Sequence, residues 1–172
     1  EKKLQELIEQ GREELQYLDT VFDSLARAGK ESELTAIREE LRETGYIKSY
    51  KGKSKKPEKL LPVEYRSSDG FTILVGRNNV QNDRLTLKDA RNYDMWFHTQ
   101  KIPGSHTVVV ADGKEIPNRT LEEAAVIAAY HSRARDSALV PVDYTIVKNV
   151  KKPAGAKPGK VIYDKFETAV VT

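Results

Sequence analysis

Apolar residues within the first 25 positions recur at alternating intervals of four and three residues. This spacing is the a/d pattern of a coiled coil, and the positions between carry mainly Glu, Gln, Lys and Arg. It predicts one long amphipathic helix with a narrow apolar seam that ends at Gly29, in the C′ position. The seam residues are Leu4, Ile8, Gly11, Leu15, Leu18, Phe22 and Leu25, among which Gly11 is the weak position.

A second helical pattern follows after a few residues, which predicts an antiparallel helical pair. Its features are Ser32 as N-cap, Leu34, Ile37 and Leu41 on one face, and Gly45 as its stop. The chain begins at Glu1 inside a helical pattern, so we expect it to be a piece of a longer protein. We interpret residues 1–47 as the end of a coiled-coil region, with an ordinary helical subdomain as the alternative.

From Val63 the pattern changes to short β runs bounded by turn residues. Asp69-Gly70 predicts a hairpin between the first two runs. Pro103-Gly104 predicts a turn between the run 95–97 and its partner strand 108–110, in which Gly supplies a positive φ. The predicted strands are 63–66, 71–75, 95–97, 108–110, 140–147, 161–163 and 168–171, the last two lying on either side of Asp164-Lys165.

Two helices interrupt these strands. Asn82-Asp83 predicts the cap of a short helix that ends near Ala90. Thr120 and Glu123 have the spacing of a capping box, which predicts a main helix that runs to about Arg135. The fold class is therefore α+β: an antiparallel helical segment, then a mixed β-sheet domain with one main helix over residues 62–172.

Composition removes several classes of protein. The chain has no Cys, which excludes disulfides and thiolate metal sites. No apolar run approaches the roughly 18 residues of a membrane span, and no signal peptide is visible, so membrane insertion is not predicted. The net charge is only +3, so the distribution of charge says more than its sum.

Two segments concentrate the positive charge. Residues 47–59 carry six Lys and the single acid Glu58, and we interpret 48–61 as a basic linker. Residues 148–160 carry five Lys and no acid. If the fold brings both segments to one side, they form a surface for phosphates. Because aromatic residues are sparse between them, contact with structured RNA by shape and charge is favoured over base stacking.

The stretch from Asp94 to His106 is the other candidate site. It contains the only Trp and Met and two of the three His. A structural hairpin remains the alternative to a functional loop. No spacing typical of a metal site, nucleophile elbow or phosphate loop is present, although an acid–base pair of Asp94 and His98 stays open. We predict no catalytic residue, no metal and no cofactor.

Five separated motifs resemble the NFACT-R domain of the NFACT family, over about residues 63–172, and residues 1–50 resemble the end of that family's coiled-coil region. The motifs are Gly76–Asn79 with Asn82-Asp83, Asp94–His98, Pro103–His106, Glu123–Ala125 and Lys152–Lys160. The resemblance implies an RNA-binding module, without enzymatic activity, of a ribosome-associated quality-control factor.

Such a factor would bind the large ribosomal subunit carrying a stalled peptidyl-tRNA and would promote alanine tailing in bacteria. The implied partners are ribosomal RNA and tRNA, and the implied location is the cytoplasm. Streptococcal members of the family are also described as fibronectin-binding adhesins at the cell surface, without a signal peptide or anchor. Host fibronectin is therefore the alternative partner.

These arguments give two sets of site residues. The predicted nucleic-acid-binding residues are Arg77, Lys101, His106, Lys148, Lys151, Lys152, Lys157 and Lys160. The predicted loop-organising residues are Asn78, Asn79, Asn82, Asp83, Asp94, Trp96, His98, Pro103, Gly104 and Ser105.

Overall fold

The computed structural model describes residues 1–48 and 60–172. The predicted basic linker therefore lies almost entirely outside the described residues. The helices are α1 (Lys2–Arg27), α2 (Glu31–Glu43), α3 (Asn79–Arg84), which continues as a π-helical turn (Leu85–Asp89), and α4 (Asn118–Tyr130). The strands are β1 (Val63–Arg66), β2 (Thr72–Val75), β3 (Met95–Thr99), β4 (Thr107–Val109), β5 (Val140–Ile146), β6 (Val150–Lys151), β7 (Ile162–Tyr163) and β8 (Glu167–Val171).

Helices α1 and α2 form the predicted antiparallel pair. Tyr17, Val21 and Ile37 are its buried core, and the Tyr17 hydroxyl donates to the buried carboxylate of Glu40. The end of α2 at Gly45 is confirmed: its φ is +86°, and the amides of Gly45 and Tyr46 bond back to the carbonyls of the last turn.

The predicted cap of α2 is wrong. Lys30, not Ser32, is the N-cap residue, and no side chain caps this end. The amide of Gly29 instead donates to the Glu33 carboxylate at 3.1 Å. Gly29 does occupy the C′ position of α1, but without a positive φ.

Of the predicted α1 seam, only Leu18 and Leu25 pack into the core that α1 shares with α2. Leu18 and Leu25 join the small core of the pair, whereas Leu4 and Leu15 are 59% and 69% exposed. The residues buried along α1 are Tyr17, Val21, Asp23 and Ser24, none of which is a position of the predicted seam. The second half of α1 is more buried than the first because it also contacts the β domain, through Thr20 with Asn79 and through Arg27 with Ser105.

The β domain is built on a six-stranded antiparallel sheet with the order β1-β2-β4-β3-β5-β8. The predicted pairing of 95–97 with 108–110 is confirmed, with Trp96 opposite Val108 and Phe97 opposite Thr107. Alternation along β3 sends these two aromatic side chains to opposite faces of the sheet.

Each face of the sheet has its own cover. Helix α4 lies on the Phe97 face, where its Ala side chains allow close approach to Ile73 and Val109. The π-helical turn and the small β6–β7 sheet cover the Trp96 face. Strand β8 joins the large sheet beside β5, whereas β7 pairs with β6 instead. The fold class is thus the predicted α+β architecture.

The capping-box prediction for α4 is wrong. The helix starts at Asn118 after Pro117 and ends at Tyr130 rather than Arg135. The Thr120 hydroxyl lies 2.8 Å from both Ser67 Oγ and Asp69 Oδ2, and the Glu123 carboxylate accepts from the Ser68 amide. The box residues therefore bond to the β1–β2 turn, a long-range contact that satisfies them in place of their own helix.

Candidate nucleic-acid interface

The basic loop, residues 148–160, is held against α3 by one ion pair. Lys152 Nζ lies 3.0 Å from Asp83 Oδ2 and donates to the carbonyls of Lys157 and Lys160. The amide of Gly159 donates to Asp83 Oδ1 at 3.0 Å. Lys152 is therefore engaged within the protein, while Asp83 fixes the return of the loop.

The Asn side chains before and within α3 organise this region. Asn78 is the N-cap of α3 and accepts from the Gln81 amide, so the predicted cap by Asn82-Asp83 is wrong. Asn79 donates to Thr20 and Glu40, which ties the helical pair to the β domain. Asn82 accepts from the His106 amide at 3.2 Å. Each of these side chains is buried, where unmet hydrogen bonds are costly.

His106, which the sequence predicted to contact nucleic acid, does not lie at the surface. It is 1% exposed, and its Nε2 donates to the Gly159 carbonyl at 3.0 Å while Nδ1 accepts from the Thr86 hydroxyl at 2.8 Å. Burial, with His98 nearby, lowers the pKa of His106 to about 3, so the ring is neutral. Its hydrogen bond to Gly159 therefore holds the basic loop from the protein interior.

The turn before His106 does not have the predicted positive φ at Gly104. Lys101, not Gly104, has the positive φ, at +54°. Gly104 is needed for close approach, because a Cβ there would lie 2.8 Å from Thr99 Oγ1 and 2.9 Å from Ser132 Cβ. Pro103 accepts from the Arg133 amide at 2.9 Å. The turn is thus packed on the segment that follows α4.

Asp94 stands at the opposite end of β3 from this turn. Its carboxylate accepts from the backbone amides of Arg91 and Ala111, each at 2.9 Å. It connects the turn before β3 to the end of β4, a structural position that leaves both oxygens occupied. His98 Nδ1 lies 2.7 Å from the Thr99 carbonyl, and burial lowers the pKa of His98 as well.

A cavity of about 280 Å³ opens between the basic loop, β3 and helix α1. We call it the lysine cavity, because Lys101, Lys157 and Lys160 line it together with aromatic side chains. In the described parts of the chain, none of these three lysines forms an ion pair. Lys148 and Lys151 are exposed on the same loop. The remaining lining residues are Glu13, Gln16, Tyr17, Thr20, Trp96, His98, Pro158, Gly159, Val161 and Tyr163.

A second cavity of about 250 Å³ lies where the α1–α2 connection meets the β domain. We call it the arginine cavity, since Arg27, Arg77 and Arg135 line it. Arg77 pairs with Glu33 at 2.7 Å and donates to the Leu61 carbonyl.

Arg27 pairs with Asp23 at 2.7 Å and donates to Ser105 Oγ at 3.2 Å. Arg135 packs over the Tyr130 ring. Burial and the three arginines lower the pKa of His131 in this cavity to about 4.

The structure thus divides the predicted site residues. It brings Lys101, Lys157 and Lys160 together, but it places Arg77 and Ser105 in the arginine cavity. Arg27, His131 and Arg135 were not predicted as site residues, because no pattern in the sequence relates Arg27 to the other two. The four aromatic residues of the lysine cavity were missed as a set, since they come from α1, β3 and β7.

Within residues 1–48 and 60–172, no cluster of three or more His, Asp or Glu side chains could hold a metal ion. No helix in these ranges has the length and apolar character needed to cross a membrane.

The fold and its lysine-lined surface define a basic α+β module preceded by a helical pair. Residues 62–165 match the family model for the NFACT protein RNA binding domain, and residues 1–60 match the model for the NFACT N-terminal and middle domains. The chain therefore belongs to the NFACT family, as the motifs predicted.

Similar proteins from two bacteria support this assignment. The Rqc2 homolog RqcH of Bacillus subtilis is 46% identical over 172 residues, and RqcH of Streptococcus suis is 45% identical over 173 residues. The alignments cover 98% and 99% of this chain but only 30% and 31% of those proteins, so the chain spans under a third of their length.

A solved structure has the same fold over nearly the whole chain. It is the C-terminal part of the fibronectin/fibrinogen-binding protein of Streptococcus suis, with a TM-score of 0.93 and 43% identity. The superposition covers 99% of this chain and 68% of that structure.

Proposed function

We propose that this chain is the RNA-binding module of a ribosome-associated quality-control factor, acting on the large ribosomal subunit without catalysing a reaction itself. The observation that carries the proposal is a set of lysines free of ion pairs within the described residues. They are Lys101, Lys148, Lys151, Lys157 and Lys160, on the basic loop and beside the lysine cavity. The RNA-binding family model and the RqcH relatives support the same function.

The physical mechanism is charge neutralisation of the RNA backbone. Each lysine that contacts a phosphate releases a condensed counterion, so affinity falls as salt rises. The ion pair of Lys152 with Asp83 holds the loop in place and leaves the other lysines to face the RNA. In the whole factor, the module would work in the cytoplasm, hold ribosomal RNA or tRNA, and in bacteria support alanine tailing of the stalled chain.

Co-sedimentation of the full-length protein with large ribosomal subunits tests this proposal. The variant replaces Lys101, Lys148, Lys151, Lys157 and Lys160 by Gln, and we expect it to leave the subunit fraction at a salt concentration where the wild type remains bound. A matched control replaces exposed lysines elsewhere, such as Lys88 and Lys114, and should still co-sediment. Equal co-sedimentation of the five-lysine variant and the wild type would contradict the proposal.

A fibronectin-binding role is the second candidate, and the similar structure from Streptococcus suis is the observation that favours it. The exposed seam residues of α1, such as Leu4 and Leu15, would be the contact surface on this chain. Surface plasmon resonance of immobilised fibronectin against the chain tests this role. Saturable binding that Leu4→Ser and Leu15→Ser weaken would support it, and absence of binding at micromolar protein would remove it.

A further inference from the structure

Four aromatic side chains that are far apart in sequence meet at the lysine cavity. Trp96 and His98 stack with their planes 6° apart, and Tyr163 lies 4.7 Å from the Trp96 ring, centroid to centroid. Tyr17 closes the cavity from helix α1. The sequence argued against base stacking because its aromatics are sparse, but the fold concentrates them beside the basic loop.

One hydrogen-bond donor at this place has no acceptor. Trp96 is 0% exposed, and its Nε1 has no partner among the described residues. A buried donor left unpaired costs about 1–3 kcal/mol, which makes such a group uncommon in a protein interior. The ring nitrogens and carbonyl oxygens of nucleobases are acceptors of the kind that this N–H lacks.

The aromatic walls are held in position by buried partners. The Tyr163 hydroxyl donates to Asp143, which is 1% exposed and also accepts from Gln100 and Thr168. The Tyr17 hydroxyl donates to the buried Glu40. Rings that are fixed before binding lose little conformational freedom when a ligand arrives, so they make an efficient stacking surface.

The aromatic and the charged side chains of the cavity would contact different parts of a nucleotide: the rings its base, and the lysines its phosphates. Lys157 Nζ lies 5.4 Å from the Tyr46 ring centroid and 5.9 Å from that of Tyr17, and Lys101 and Lys160 line the same cavity. Glu13 is the one acidic side chain among the residues that line it. At about 280 Å³, the cavity lies just below the roughly 300–1,000 Å³ typical of sites for drug-sized ligands. It therefore suits one planar group rather than a larger ligand.

We propose that the lysine cavity receives a single unpaired base of an RNA strand, with the partly exposed rings of His98 and Tyr163 against the base, the buried Trp96 and Tyr17 behind them, and the lysines on the flanking phosphates. This inference rests on the proposed function, and it adds that the module recognises an unstacked nucleotide as well as a charged backbone. Single-stranded positions, bulges and loops are where proteins reach bases in RNA.

Fluorescence anisotropy with two labelled RNAs tests the inference on the 172-residue chain. One RNA is a blunt, fully paired duplex, and the other is the same duplex with one bulged nucleotide. Stacking of a base on an aromatic side chain is worth about 5- to 150-fold in affinity. We expect the wild type to bind the bulged RNA more tightly by a factor in this range.

Tyr163→Leu should remove this preference, so that the variant binds the bulged and the paired RNA with equal affinity. Tyr163→Phe is the matched control, because it loses the same hydrogen bond to Asp143 but keeps the ring, and it should retain the preference. A wild type that binds both RNAs equally overturns the base site while the RNA-binding function stands. A wild type that binds neither RNA overturns both.

The intrinsic fluorescence of Trp96, the single tryptophan of the chain, gives a second measurement that needs no substitution. Its emission should change when the bulged duplex is titrated and stay nearly constant with the paired duplex. Identical emission changes with the two RNAs would contradict occupation of the cavity by the bulged base.

Discussion

The lysine cavity and the arginine cavity are similar in size and both are rich in positive charge, but their cations are used differently. In the arginine cavity, Arg27 and Arg77 each face a carboxylate on the helical pair. In the lysine cavity, Lys101, Lys157 and Lys160 have no such partner within residues 1–48 and 60–172. The first set stabilises the junction between α1–α2 and the β domain, while the second is available to a ligand.

This difference shows why a count of basic residues does not locate a polyanion site. Arg77 and Lys152 carry the same charge as Lys160, yet each is paired with a partly buried acid. A phosphate would have to displace those acids before it could pair with either cation. What matters is whether each basic side chain already has an acidic partner. A paired cation stabilises the fold, whereas an unpaired cation is open to a phosphate.

The largest expected effect comes from Gly159, where the basic loop meets α3. Its φ is +84°, and a Cβ there would lie 2.5 Å from Asn79 Oδ1. We expect Gly159→Ala to lower the free energy of unfolding by about 2–4 kcal/mol and to weaken RNA binding, since both strain and overlap oppose the side chain.

Urea denaturation monitored by circular dichroism measures this loss. Gly155→Ala in the same loop is the control: it has a positive φ of +74° but nothing within 4 Å of the added Cβ, so it should cost only about 1 kcal/mol. Equal losses for the two variants would show that the close approach to Asn79 is unimportant.

Arg77→Gln breaks the ion pair that joins the arginine cavity to α2. Because Arg77 and Glu33 are 22% and 12% exposed, we expect a stability loss of about 1–3 kcal/mol. RNA affinity at a temperature where the variant is folded should stay within about twofold of the wild type, since this charge is already paired.

Arg84→Gln is the control for this substitution, because its pair with Asp89 is exposed and should contribute about 0–1 kcal/mol. If Arg77→Gln instead weakens RNA binding strongly while stability is unchanged, then the sequence-based prediction that Arg77 contacts RNA holds and the division between the two cavities fails.

Lowering the pH should destabilise the folded state through protonation of His131, which lines the arginine cavity. Its pKa is lowered to about 4 by burial and by Arg27, Arg135 and Arg77, against about 6.5 in an unfolded chain. Between these values the unfolded state binds more protons, so stability falls as the pH drops from 6.5 to 4. His131→Asn should show a smaller loss over this range in thermal melts. His106, with a pKa near 3, will keep part of the pH dependence in the variant.

The smallest expected effect is at Gly11, which lies in the exposed first half of α1 and lines neither cavity. Nothing lies within 4 Å of a Cβ built there, and the residue sits in the interior of a helix. Gly11→Ala should raise the stability of the chain by at most about 0.5–1 kcal/mol and leave RNA binding unchanged. Destabilisation by Ala, seen in the same melts, would indicate that Gly11 serves a contact.

Local sequence patterns were enough to predict most of the helices and strands, but not the lysine cavity. Alternation and the Asp69-Gly70 turn were enough for the β1–β2 hairpin, and the apolar runs around Trp96 and Val108 were enough for β3 and β4. The capping box failed because Thr120 and Glu123 bond to a turn more than fifty residues away. Competition from such distant partners is invisible to a rule that reads four neighbouring residues.

The lysine cavity could not be predicted because it is a product of tertiary packing. Tyr17, Trp96 and Tyr163 lie on three elements, and no spacing in the chain relates them. The basic loop itself was visible in the sequence, yet the capture of Lys152 by Asp83 was not. The predicted meeting of this loop with the basic linker stays a prediction, since residues 49–59 lie outside the described part of the chain.

The most direct test of the account is the salt dependence of RNA affinity for the double variant Lys157→Gln, Lys160→Gln beside the double variant Lys88→Gln, Lys114→Gln. Each phosphate contact adds about 0.7–0.9 to the slope of log affinity against log salt. The first variant should bind about 25- to 60-fold more weakly than the wild type at 0.1 M salt and converge with it near 1 M. The second should follow the wild type throughout. Equal losses in the two variants, or none in the first, would contradict the assignment of RNA binding to the lysine cavity.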